Sequence, residues 1–306
     1  MKSKNISTEN IKILICCHKP CELPRNLENI FIPIHVGAAI SNWESSIQRD
    51  DQLEGNPCNN ISKKNKSYCE LTAMYWAWKN LQRIYPNTEY IGLCHYRRYF
   101  SFNENSYFVD SIIKKGNEIE QYELNLPKLY KLLKKSNIIL SKKRIYPYSI
   151  DIDYKVSHVS EDMKILQQVI HELYPEYDVD MYKILLCNNK FSPYNMFIMK
   201  WKHFDNYCSW LFLVLEECER RINITNYSDV QKRIWGYMAE RLLNVWVHHN
   251  IRDISFLNII QYGDSLKRQS WLCSGVNNFR KECSFLLGRI YNLNLNRYKT
   301  TLDNKL

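Results

Sequence analysis

Residues 11–17 (IKILICC) form a short apolar run rich in β-branched side chains that stops at His18-Lys19-Pro20. That is the pattern of a buried strand emerging into a loop. Residues 31–36 (FIPIHV) repeat it, and Gly37 follows where the chain must turn. Between Asn42 and Asn65 the sequence is polar and irregular, which predicts a long surface loop. From Ser67 the period changes: Leu71, Met74, Tyr75, Trp78 and Leu81 recur at helical spacing as one apolar stripe, so the pattern predicts a helix with Trp78 in the core. Ser67 and Glu70 have the spacing of a capping box at its start. Residues 89–94 (EYIGLC) predict a strand with His95-Tyr96-Arg97-Arg98 at its carboxyl end. Beyond it the periodicity predicts helix over 126–135, strand over 137–140, helix over 160–174, strand over 194–199, helices over 204–221 and 228–249, and a closing strand over 252–260. Strands alternating with helices predict an α/β fold, a mostly parallel central sheet flanked by helices. Ligands of such sheets lie at the carboxyl ends of the strands.

The composition fits this picture. With 306 residues, 45% of them apolar and 24% charged, the chain can bury a full core without disulfides. No stretch reaches the ~20 apolar residues of a membrane span; the run from Trp210 to Leu215 ends at Glu216 and Glu217. The first residues lack the apolar centre of a signal peptide, so the expected location is cytoplasmic. The 11 cysteines are scattered and odd in number, which predicts reduced thiols. Cys16, Cys17, His18 and Cys21 cluster without the second ligand pair that a zinc site needs. The net charge is +10, and residues 265–306 hold eight cations (Lys267, Arg268, Arg280, Lys281, Arg289, Arg297, Lys299, Lys305) against Glu282 and Asp303. With Trp271, Phe279, Phe285, Leu286, Leu287, Ile290 and Tyr291 among them, this tail is expected either to lie on an anionic inner-membrane surface or to close the fold as a solvated helix. The chain therefore divides into a domain over 1–264 and a basic amphipathic tail over 265–306.

His95-Tyr96-Arg97-Arg98 is the best local signal for chemistry. An arginine fork matches a phosphate oxygen pair, although neighbours on a regular strand face opposite ways, so that one arginine alone would meet the ligand. The alternative is two surface arginines in ion pairs.

Residues 60–100 (NISKKNKSYCELTAMYWAWKN, then YIGLCHYRRYF), 137–143 (NIILSKK), 194–200 (YNMFIMK), 204–211 (FDNYCSWL) and 234–247 (IWGYMAERLLNVWV) resemble a bacterial domain family. That family was long catalogued as of unknown function and later recognised as galactofuranosyltransferases of O-antigen and capsule assembly. The resemblance covers roughly residues 11–260 in the same order. It implies a GT-A-like nucleotide-binding fold and inverting transfer of galactofuranose from its UDP donor to a glycan or lipid-linked glycan acceptor. By the same resemblance, His18 and Gly37 follow the first two strands, where the nucleotide is held. His95, Tyr96, Arg97 and Arg98 occupy the strand end where many GT-A enzymes carry an Asp-x-Asp metal site. No acid stands there, so no cofactor is firmly implied: a divalent cation (Mn or Mg) lacks its expected ligands, and arginine can meet the charge of the leaving diphosphate instead. Asp151-Ile152-Asp153 and Asp178-Val179-Asp180 spell the acidic pattern in the wrong part of the order. Glu240 is the candidate base, against a surface ion pair with Arg241, Lys232 or Arg233. Tyr194 and Asn195 are placed to contact donor or acceptor hydroxyls, and Glu70 to orient the donor, although capping also accounts for it. His158 and Asp162 lie where the family has a histidine-rich segment, which is sparse here, and Asn59 stands where aspartate is usual. These departures keep a UDP-hexopyranose donor as an alternative. A different class, a non-catalytic basic module for nucleic acid or membrane, is the other; it lacks an RNP or helix-turn-helix signature, and nucleic acid is not expected as a partner.

Overall fold

The computed structural model describes residues 7–25, 28–104, 106, 109–266 and 270–303. Apolar runs that alternate with helices bury themselves best as neighbours in one sheet, and among the described residues ten strands join. They are β1 Ile11–Cys17, β2 Phe31–His35, β3 Gln48–Arg49, β4 Tyr90–His95, β5 Arg98–Phe100, β6 Ser111–Lys114, β7 Ile138–Ser141, β8 Phe197–Lys200, β9 Ile254–Leu257 and β10 Ile259–Tyr262. Along the main path the order is β9-β7-β8-β4-β1-β2-β3. Only β8 is reversed, antiparallel to both β4 and β7, while the other neighbours on this path are parallel. The amino end of β8 thus arrives at the edge where the parallel strands end. Off the path, β10 pairs antiparallel with β5 and parallel with β6.

Period two along the central strands divides the core. Leu14, Leu93, Leu140 and Met199 face a layer built from α1 Leu71–Ile84, α3 Ile150–Ser157, α4 Ser160–Leu173, α5 Trp201–Arg221 and α6 Ile234–Asn250. Ile13, Ile15, Cys94 and Ile198 face Tyr99, Tyr122 and Leu129, the last on α2 Leu126–Lys135. A final helix, α7 Trp271–Asp303, follows the sheet. Its Glu282 takes Lys190 as an ion-pair partner and accepts from Asn189 Nδ2 at 3.2 Å.

Several expectations are corrected. The first long helix starts at Leu71, not Ser67, because the single turn Asn65–Tyr68 breaks at Cys69, whose φ is +53°. The capping box does not form: Ser67 Oγ donates to the Lys64 carbonyl, and Glu70 makes no cap bond. Within α1, Trp76 is fully buried and Trp78 only partly, its Nε1 donating to Asp205 at 2.7 Å. The segment predicted as loop holds β3 and a small hairpin of Gln52–Leu53 with Asn56–Pro57. The predicted closing strand is two strands, interrupted at Asn258, which turns inward to bond Val109 and Asp110 carbonyls. Helix α3 and the strands β5 and β6, none of them predicted, are further differences: all are short, so periodicity hardly marks them. Of the basic tail, Lys267, Arg268 and Lys305 lie outside the described residues, as do the side chains of Trp271, Tyr291, Arg297 and Lys299. No helix among the described residues is long and apolar enough to cross a membrane.

Candidate active site

His95 ends β4, Tyr96 and Arg97 turn, and Arg98 opens β5 directly opposite His95. The tetrapeptide is therefore a hairpin corner rather than a continuing strand, and the rule that neighbours alternate faces does not apply to it. Arg97 is exposed, with its guanidinium 5.6 Å from the Tyr96 ring centre. Arg98 is half-buried, 4.3 Å over the ring of Tyr194. Among the described residues neither arginine forms an ion pair, and Arg98 Nε is buried without a partner. Asn195 Oδ1 is in the same condition. Buried polar atoms left unpaired cost stability and call for an explanation; a bound polar ligand supplies one.

The entry to β8 shapes the rest. Tyr194 and Asn195 both have left-handed backbone, φ +76° and +52°, an uncommon state for tyrosine. This turn offers the Tyr194 amide to Glu240 Oε1 at 2.9 Å and its carbonyl to His95 Nε2 at 2.8 Å. A carbonyl only accepts, so the His95 proton resides on Nε2. Burial, then Arg98, holds the His95 pKa down to about 3, so the ring is a neutral donor. Asn195 Nδ2 donates to Glu70 Oε1 at 2.7 Å and to the Gly236 carbonyl at 3.3 Å. Glu70 stands at the N-cap of α1, its carbonyl accepting from the Ala73 and Met74 amides, while its side chain turns to Asn195 instead of capping the helix.

Two carboxylates therefore stand within one cationic surround. Burial raises the pKa of Glu70. Burial also raises that of Glu240, helped by the charge of Glu70 and opposed by Arg241. The surface ion pair considered for Glu240 is weak, since Arg241 Nη1 lies 4.0 Å from Oε2 while its Nη2 bonds Asp153 at 3.3 Å. His18, exposed after β1, meets the Tyr96 ring edge-on at 5.2 Å; burial and then Lys19, Arg97 and Arg233 lower its pKa.

The remaining predicted residues stand apart or are otherwise engaged. Gly37 is left-handed at φ +70°, and its amide donates to the buried Asp50 at 2.8 Å. His158 stacks at 4.1 Å on Tyr237, which lies three residues before Glu240 on the same helix, and its Nδ1 is within 3.2 Å of Gln231 Oε1. Asp162 accepts from Tyr227 Oη at 2.7 Å and is not brought to this cluster. Asp153 and Asp180 of the acidic triplets are paired with Arg241 and with His248 and His249, and among the described residues no three metal-ligating side chains assemble.

Sequence reasoning missed Arg144 and Arg233. Arg144 Nη2 donates to Tyr194 Oη at 2.5 Å, and Arg233 Nε donates to Cys69 Sγ at 3.4 Å. Arg144 closes a basic triplet just after β7, and that strand-end position was the available signal.

The profile of a domain of unknown function, DUF4422, matches residues 12–251. A solved structure described as the WbbM bifunctional glycosyltransferase in its apo form is similar to this chain, with a TM-score of 0.71 and 28% identity over 85% of this chain and 48% of that one. The chain thus spans about half the length of that protein. No curated protein sequence matches.

Proposed function

The chain belongs to the DUF4422 domain family, and from that premise we propose that it is a glycosyltransferase that uses a nucleotide-sugar donor to extend a surface polysaccharide. The observation that carries this reading is the corner where Arg98, free of ion pairs among the described residues and with the exposed Arg97 beside it, faces Glu70 and Glu240 across Tyr194 and Asn195. The fold likeness to a glycosyltransferase at 28% identity supports it.

In the proposed reaction the donor diphosphate lies at the strand ends against Arg98 and Arg97, with His18 beside it. Glu240, held by the Tyr194 amide, takes the proton of an acceptor hydroxyl. The hydroxyl oxygen attacks the anomeric carbon from the opposite face, the anomeric carbon–oxygen bond to the diphosphate breaks, and configuration inverts. The charge released onto the diphosphate falls on guanidinium groups that are already in place, so little reorganisation is needed. A divalent cation would supply the same stabilisation; the groups present at this corner are suited to receive anions, and the proposal routes no step through a metal. The donor proposed is UDP-galactofuranose, on the resemblance described above, with a UDP-hexopyranose as the rival.

The acceptor is proposed to be a glycan on a lipid carrier. On α7 the exposed side chains Leu272, Val276, Phe279, Leu286, Leu287 and Ile290 fall along one side of the helix, while Ser274, Asn277 and Lys281 turn toward the domain. Arg280 and Arg289 flank the apolar side. Like charges there oppose pairing of two such helices and suit an anionic bilayer surface.

The test is thermal shift with UDP followed by product formation from UDP-galactofuranose and a synthetic glycan acceptor. A shift with UDP that is lost in Arg98→Ala, together with a new sugar in the product, supports the reading. A shift with oligonucleotide and none with UDP would replace it by a basic binding module.

A further inference from the structure

Beside the candidate active site lies a cavity of about 160 Å³ between residues 142–145, which follow β7, and the first turns of α7. Pockets that enclose whole small molecules run to roughly 300–1,000 Å³, so this one fits a single charged group rather than a nucleotide sugar. Its walls carry Lys142, Lys143, Arg144 and Lys281 against one carboxylate, Asp110. Asp110 is already engaged by Arg144 Nε at 2.8 Å, and among the described residues Lys143 and Lys281 have no ion pair. Ser274, Asn277, Asn278 and Lys281 fall at the spacing of one helical face, so α7 turns its polar side to the cavity. Burial, and then the charge of Lys190, lowers the Lys143 pKa, as desolvation of a cation does.

The cavity is joined to the proposed base through one residue. Arg144 bonds Tyr194 Oη at 2.5 Å, and the Tyr194 amide bonds Glu240 at 2.9 Å. A group anchored by Lys143, Arg144 and Lys281 is therefore linked through Arg144 and Tyr194 to the carboxylate that would receive the acceptor's proton. We propose that this cavity binds a phosphate or diphosphate ester carried by the acceptor, at a position separate from the donor's diphosphate at Arg97 and Arg98. The proposal rests on the transferase reading for its word "acceptor", though not for the anion site itself. An anchor of this kind fixes the acceptor hydroxyl before the donor departs, so part of the ordering cost is met on binding.

The experiment uses the full chain. Inorganic pyrophosphate is titrated calorimetrically into protein saturated with UDP, at fixed ionic strength. One pyrophosphate is expected to bind. Its affinity should fall at least about tenfold in Lys143→Ala/Lys281→Ala, the size of a lost charge-assisted hydrogen bond. It should recover in Lys143→Arg/Lys281→Arg. Absence of pyrophosphate binding, or equal binding in the alanine pair, overturns the proposal. UDP binding, recorded before the pyrophosphate is added, reports separately on the transferase reading; should UDP fail to bind, the same titration of UDP-free wild type and alanine pair still decides the anion site. A second arm compares kcat/KM for one glycan linked through an alkyl diphosphate, the same glycan bearing a phosphomonoester, and its neutral glycoside. A preference for the first that the alanine pair loses identifies a lipid-type linkage. A preference for the second that it loses identifies a phosphorylated glycan, and no preference for either overturns the role in acceptor binding.

Discussion

At the scale of single residues, the site depends on groups whose surroundings move them from their ordinary behaviour. Burial next to Glu70 raises the Glu240 carboxyl, which brings its basicity closer to working pH. Glu240→Gln is expected to lower kcat by roughly 10²–10⁴-fold while the thermal shift with UDP persists; full turnover in that variant would remove the assignment. His95 shows the opposite displacement. Its folded pKa is held at about 3 against 6.5 for an ordinary histidine, so the unfolded chain takes up the proton first. The stability contributed by the neutral ring is complete above pH 6.5 and is lost as the pH falls toward 3. His158, held at about 4, acts in the same direction. In His95→Gln, which keeps a donor for the Tyr194 carbonyl, the fall in Tm between pH 7 and 5 should be shallower than in wild type. Parallel curves would show that His95 does not carry this dependence. The sequence marked His95, Arg98, Tyr194, Asn195 and Glu240, but not the backbone of Cys69, because a positive φ at a non-glycine residue leaves no mark in composition.

At the scale of elements, the meeting of β4 and β8 positions the corner. A Cβ on Gly92 would lie 2.9 Å from Ile198 Cγ1, 3.0 Å from the Phe197 carbonyl and 3.1 Å from Ile13 Cγ1. Backbone on that side does not yield cheaply. Gly92→Val is expected to cost about 1–3 kcal/mol by overpacking, read by urea denaturation, and to weaken UDP binding as the strand ends separate; an unchanged midpoint would show that the sheet relaxes around the side chain. Helices α2 and α5 were legible to within a few residues because each has a long amphipathic period. The three-residue strand β5 was not, since its identity comes from pairing with β10 and not from its own pattern.

At the scale of the molecule, α7 turns a polar side to the domain and an apolar side outward. If that outer side lies on a bilayer, sedimentation with anionic vesicles should capture the protein, less so as salt rises. Phe279→Ser/Leu286→Ser/Ile290→Ser should abolish capture and leave UDP binding intact. A wild-type protein that sediments as a salt-insensitive dimer and ignores vesicles would assign the stripe to a second copy instead.

Strand and helix periods determined the α/β class, because burying an apolar face is a local demand written every two or every three to four residues. The tertiary structure alone decided which distant residues meet. The reversed β8 brings Tyr194 and Asn195 beside His95, Asn195 meets the Glu70 side chain at the start of α1, and α7 sets Lys281 on the same cavity as Lys143 and Arg144. Those contacts join residues far apart along the chain, and their energies depend on shared burial and summed charge, which no local spacing encodes.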